Sequence, residues 1–171
     1  MTDLYDVMEP QKAYLFVDVG GGSTELSVIR NEKTIASKSF KIGTVRLLNK
    51  MVKKSELKAY KDWIEKHTKS IDRISVVGSG GTINKVFKIS GIKIGRPLSY
   101  MLLSEQYEFL KKLSQKELLI DLKLNPDRAD VIAPAVQIYL MAMKHSGANE
   151  IFVPKVGLAD GMIKLLYKEL H

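Results

Sequence analysis

Residues 17 to 25 read VDVGGGSTE: an aspartate, three consecutive glycines, two hydroxyls, then a glutamate. Glycines carry no side chain, so a phosphate can approach the backbone closely. Successive residues of alternating handedness also turn their N–H groups into one concavity, an anion nest. Gly20, Gly21 and Gly22 are therefore candidate phosphate contacts, with Ser23 and Thr24 as hydroxyl donors. Asp18 would repel a bare phosphate; it makes sense there if it holds a divalent cation or an attacking water. Glu25 places a second carboxylate close to the same loop. Donors beside carboxylates suit phosphoryl transfer, whereas a two-residue hairpin turn needs only one or two glycines. The plainer alternative is a glycine-rich turn with Asp18 capping it.

A second glycine run, Gly78-Ser79-Gly80-Gly81-Thr82, follows an apolar strand and opens a helix. Helix-start amides and the helix dipole both favour an anion there, which makes Gly80, Gly81 and Thr82 candidates too. Close strand–helix packing would demand the same small residues. Arg46 and Arg128 can reach a phosphate or form a salt bridge at a helix start. His67 and His145 fall at predicted helix ends, and His145 reads as a C-terminal cap. His171 is the last residue, so no residue outside the loop is an evident general base.

Composition limits the classes of function. With 27 Lys and Arg against 19 Asp and Glu, the formal charge is +8, which suits an anionic partner. Scattered lysines at helical spacing, with acids between them, account for much of that excess as ordinary solvated faces. No arginine-rich or aromatic-interleaved signature of RNA binding is present. There is no cysteine, so disulfides and thiolate metal sites are excluded. The opening residues, MTDLYDVMEP, do not form a signal peptide, and the longest apolar stretch, 129–143, is too short to span a bilayer. A soluble cytoplasmic protein is expected, and a homodimer is compatible with it.

These residues need elements to hold them. Ala13 to Val19 reads as a strand buried on both faces, Thr24 to Arg30 as a second and Thr34 to Lys41 as a third, with Asn31-Glu32 as the turn. Short connections imply an antiparallel meander, with the glycine loop at the tip of its first hairpin. Helices are predicted over Gly43 to Met51, from Ser55 to His67, Thr82 to Ile89, Ser104 to Leu113 and Gln115 to Asp121. Asn125-Pro126-Asp127 should start another, running to about Lys144 and kinked at Pro134. Ile74 to Val77 and Ile151 to Val153 are the remaining strands, and Gly157 to Glu169 the last helix. The predicted α/β class is a single domain over 1–171, with its core from residue 12. It is a ribonuclease-H-like half of the actin and sugar-kinase superfamily: a mixed five-stranded sheet with helices on both faces.

In order, YLFVDVGGGSTELSVIRN, KSFKIGTVRL, VVGSGGT, NPDRADVI and GLADG span Tyr14 to Gly161. Together they resemble the exopolyphosphatase and guanosine-pentaphosphate phosphohydrolase (Ppx/GppA) family, specifically its second, C-terminal actin-like domain. The resemblance implies that Gly20 to Ser23 grip phosphates of polyphosphate or of guanosine tetra- or pentaphosphate. It implies that Asp18 and Glu25 are catalytic and organise magnesium and water, and that Gly80, Gly81 and Thr82 line the same cleft. The family's closing motif is nearer GLREG; here Ala159 and Asp160 stand in it. Family members also carry an earlier domain with a DxGSNS-type loop and a glutamate base, a loop this chain lacks. The expectation is thus half of a two-lobed phosphatase, poor in activity alone. Two alternatives are half of an actin-like ATPase or kinase, and a non-catalytic module binding polyphosphate or nucleic acid.

Overall fold

Side-chain alternation sets the leading strands. The computed structural model describes Glu9 and residues 11–154. In β1 (Ala13–Val19), Ala13, Leu15 and Val17 face the main core, while Tyr14 and Phe16 join a second cluster with Ile29 and Val77. Both faces of β1 are buried, as its unbroken apolar run predicts. It pairs antiparallel with β2 (Thr24–Arg30), and β2 pairs antiparallel with β3 (Lys33–Phe40). Asn31 and Glu32 both take positive φ, 50° and 61°, as a two-residue primed turn requires. A register shift at Val28/Ile29 leaves Ile35 without a partner on β2, and its side chain is exposed.

After α1 (Thr44–Leu48) and α2 (Lys54–Thr68), β4 (Ile74–Ser79) runs parallel to β1. Next come α3 (Gly81–Ile89), β5 (Leu98–Ser99), α4 (Tyr100–Lys112), α5 (Gln115–Ile120), α6 (Pro126–Ala129), α7 (Ile132–Ser146) and β6 (Glu150–Phe152). The sheet order is β3-β2-β1-β4-β6-β5. Five of these strands make the ribonuclease-H-like row the sequence predicts. The sixth, two-residue β5, adds an antiparallel edge against β6 and makes the sheet six-stranded rather than five-stranded. Two residues between a loop and a helix are too few to show a period of two.

Two helix expectations need correction. Helix α4 begins at Tyr100 rather than Ser104, because the Ser99 hydroxyl accepts from Leu102 N–H and serves as the cap. The expected long helix from Asn125 is two helices: it breaks at Asp130-Val131, ahead of Pro134, and α7 runs unbroken through Pro134. Pro134 falls in the first turn of α7, where N–H groups have no intrahelical partner to lose. Helix α7 carries Ile132, Ala135, Val136, Ile138, Tyr139, Ala142 and Met143 into the core and lies against β1 and β4. Gly147 ends it at φ 73°, the left-handed stop that glycine allows. Among the described residues no helix is long and apolar enough to cross a membrane. The helix predicted over Gly157 to Glu169, with the GLADG motif, lies outside the described residues.

Candidate phosphate-binding site

The loop joining β1 to β2 is closed by Gly20 N–H donating to Ser23 O at 2.9 Å. Its carbonyls point at the start of α1: Gly20 O accepts from Thr44 N–H at 3.0 Å, and Gly21 O from Val45 N–H at 3.0 Å and Arg46 N–H at 3.4 Å. That leaves the N–H groups of Gly21, Gly22 and Ser23 without a hydrogen-bond partner among the described residues. All three residues are at least partly exposed. Open amides on a glycine backbone are what an anion uses.

The glycines serve close approach rather than handedness. None of Gly20, Gly21 and Gly22 has positive φ, so the alternating nest expected from the sequence does not form. A Cβ on Gly21 would meet Val45 Cγ2 at 3.3 Å, and one on Gly22 would meet nothing within 4 Å. The tightest contact belongs to a residue sequence reasoning passed over as a helix start. A Cβ on Gly43 would lie 2.3 Å from Gly21 O. Thr24 also departs from expectation. It is fully buried, and its hydroxyl donates to Ile42 O at 2.6 Å, so it anchors the loop from beneath and offers no donor to a ligand.

Asp18 pairs in register with Glu25 on β2 and with Ser79 on β4. Residues directly opposite on adjacent strands share a face, so the two carboxylates and the Ser79 side chain project together beside the loop. Ser27 and Ser37, hydrogen-bonded at 2.8 Å, continue that polar face. Like charges directly opposite are destabilising. Two carboxylates so placed suit magnesium, which takes one or two protein carboxylates and completes its shell with water and phosphate oxygens. Among the described residues no group of three or more acids and histidines forms a ready-made metal cage.

Ser79 leads into Gly80, whose φ of 123° excludes other residues, and Gly80 begins α3 without a side-chain cap. A Cβ there would come 3.9 Å from Asp18 Oδ1, so the start of α3 sits against the carboxylate site. Arg128 closes the other side: a Cβ on Gly81 would stand 2.8 Å from Arg128 Nη2. A guanidinium held at the positive end of a helix gains from an anion between them. Thr82 is half-exposed in the first turn of α3. Arg46, on α1, has its Nε buried with no hydrogen-bond partner. Gly78, by contrast, is the packing glycine of this run, since a Cβ would strike Ile151 Cδ1 at 2.9 Å and Tyr139 Cε1 at 3.1 Å.

Tyr139 is the residue sequence reasoning missed. On α7 it looks like one more core side chain, yet its buried hydroxyl donates to the Ser79 carbonyl. Burial, then the nearby charge of Asp18, pushes its pKa well above the usual phenol range, so it stays a donor. A tyrosine among the aliphatic residues at mid-helix on the buried face was the available signal. The histidines lie elsewhere. His67 Nδ1 bonds Trp63 O at 2.8 Å, and His145 is no cap but faces Glu65 of α2 at 3.4 Å.

The fold and the sequence have known relatives. A model of the Ppx/GppA phosphatase family matches residues 4–170. The crystal structure of the Aquifex aeolicus family member superposes with a TM-score of 0.68 at 25% identity, over 96% of this chain and 60% of that one. An exopolyphosphatase from Cytophaga hutchinsonii superposes at 0.71 with 19% identity, over 92% of this chain and 58% of that one. No curated protein matches the sequence. The chain thus spans about 60% of the solved relative's length. A match running from residue 4 to residue 170, on a fold shared with solved members, makes this chain a member of the Ppx/GppA phosphatase family.

Proposed function

We propose that this chain is the phosphate-gripping lobe of a phosphohydrolase that cleaves terminal phosphoanhydride bonds of polyphosphate or of guanosine pentaphosphate. One observation carries the reading: the buried, unpartnered Arg46 Nε on the helix that docks the glycine loop. An orphaned buried donor on a cation costs stability, and an anion in the cleft would remove that cost. The cytoplasm, where such substrates are found, is the compartment that fits.

Each group has a part in the reaction. The N–H groups of Gly21, Gly22 and Ser23, with Arg46, hold the terminal phosphate. Arg128 and the start of α3, at Gly80, Gly81 and Thr82, hold the next one. Magnesium, when bound, neutralises phosphate charge and makes a bound water more acidic; Asp18 and Glu25 are the residues to hold it. Tyr139 keeps the Ser79–Gly80 backbone in place beneath them. A water then attacks the terminal phosphorus in line with the bridging oxygen. Its oxygen forms the new P–O bond while the bond to the bridging oxygen breaks, and the leaving chain departs with that electron pair. The proton of the water goes to a base on the facing lobe, which a first domain of the parent protein supplies.

The test is phosphate release from polyphosphate and from guanosine pentaphosphate with magnesium, by this chain with and without a first domain of the family in trans. Lacking a positioned base, the chain alone should be slower by about 10²- to 10⁴-fold. Asp18→Asn and Glu25→Gln should each abolish the activity regained in trans. Full turnover by the isolated chain would sink the two-lobe reading and make Glu25 the first base to test.

A further inference from the structure

Lys50 ends α1 in an unusual way. Met51 N–H donates to Arg46 O at 2.8 Å and Lys50 N–H to Leu47 O at 3.1 Å, the paired bonds of a Schellman motif. The residue at the left-handed position of that motif is usually glycine, because any Cβ is strained there. Here it is a lysine, exposed, at φ 55°. Asn31 and Glu32 share that region because their two-residue turn dictates it. Lys123 is the other lysine held there, two residues from Asp121. Lys50 has different company. From Lys33 to Ser55 the chain carries seven cations and no carboxylate. Among the described residues none of those seven is in an ion pair.

Strained placement of an exposed charged side chain with no ion pair among the described residues asks for a reason outside the fold. Helix α1 begins on the glycine loop and spans about 8 Å over its five residues, and Lys50 lies two residues beyond its end. A single phosphate on the loop cannot bridge that span, but an anionic chain of several phosphates can. We infer that Lys50 is a specificity-determining residue that takes the phosphates of a long chain beyond those held at the loop. The inference rests on the loop reading above and adds a preference for extended over compact polyanions.

Calorimetric titration of this chain with orthophosphate and with long-chain polyphosphate, at several salt concentrations, tests it. Lys50→Gly should raise Tm by about 1–3 °C as the strain is relieved. It should weaken long-chain binding by about three- to tenfold and lower its salt slope by about one. Orthophosphate affinity should stay within about twofold. Lys123→Gly, which removes the same charge from the same conformation, should gain Tm and leave both affinities unchanged.

Several outcomes would overturn the inference: long-chain affinity and slope unchanged in Lys50→Gly, an equal loss in Lys123→Gly, or no long-chain binding by the parent chain. A fall in Tm for Lys50→Gly would do so too, since it would make Lys50 a dipole-balancing cap. Gly22→Ala separates the two claims. If it abolishes orthophosphate binding while Lys50→Gly changes nothing, the loop reading stands and the Lys50 inference falls. If orthophosphate binding survives Gly22→Ala, the loop reading falls, and Lys50 is judged on the long chain alone.

Discussion

Gly22 and Gly43 look alike in the sequence but carry different burdens. A Cβ on Gly22 meets no protein atom within 4 Å, and its φ is not positive, so Gly22→Ala should fold with Tm within about 2 °C of the parent. That methyl would stand where phosphate must approach. Phosphate affinity should fall by about tenfold or more, and undiminished binding would make the loop a mere turn. Gly43→Ala drives a Cβ onto the Gly21 carbonyl, so it should destabilise the fold by about 1–3 kcal/mol and weaken binding as well. Arg46 offers the opposite pairing. Arg46→Met removes an unpartnered buried donor, so stability should hold or rise while phosphate affinity drops by about tenfold. A Tm loss with affinity intact would make Arg46 a packing residue. At this scale the sequence was readable for placement: Asp18 and Glu25 lie opposite one another beside the loop, and Gly21, Gly22 and Ser23 carry its open amides. It was unreadable where type leaves direction open. Thr24 looked like a donor to ligand but points inward to Ile42 O, and Tyr139 looked like core but reaches Ser79.

Element boundaries were legible where a local signal sets them. The Asn31-Glu32 turn, the Gly147 stop and the β1–β2 hairpin follow from short-range chemistry. The α6–α7 break does not, because Pro134 is an obvious breaker in sequence and harmless at a helix start. Edge strand β5 depends on β6, far away in the chain, and has no signature of its own. The contact between α2 and α7 has a measurable property. His145 faces Glu65, with Lys61 and Lys144 also acting on it, and burial outweighs the carboxylate to hold its pKa below the ordinary 6.5. The unfolded chain therefore takes up the proton first as pH falls. The stability owed to neutral His145 is complete above about pH 6.5 and is lost as pH drops below it toward the folded pKa. His145→Gln should flatten the Tm-against-pH profile between about pH 5 and 7, and an unchanged profile would place the titration elsewhere.

At the scale of the whole molecule, the site is gathered from segments far apart in the chain. The hairpin carrying the glycine loop is local, whereas Asp18 meets Ser79 only through the parallel β1–β4 pairing, and Arg128 arrives later still. The fold class was legible because three meander strands and two crossover strands admit few arrangements. The convergence of Arg128 on Gly81 was not, since nothing local announces it. That same β1–β4 pairing has a kinetic consequence. Ala13 finds Ile74 across two helices and two strands, so loop-closure entropy makes this a late contact in folding, while β1, β2 and β3 can assemble early. A ligand that needs Asp18, Ser79 and Arg128 together can grip only a chain that has already crossed its main barrier. Phosphate should then slow unfolding and leave the refolding rate nearly untouched, so that in a chevron plot only the unfolding limb descends as ligand is added. The bound protein would owe its persistence to the difficulty of leaving the native state, with no help in reaching it.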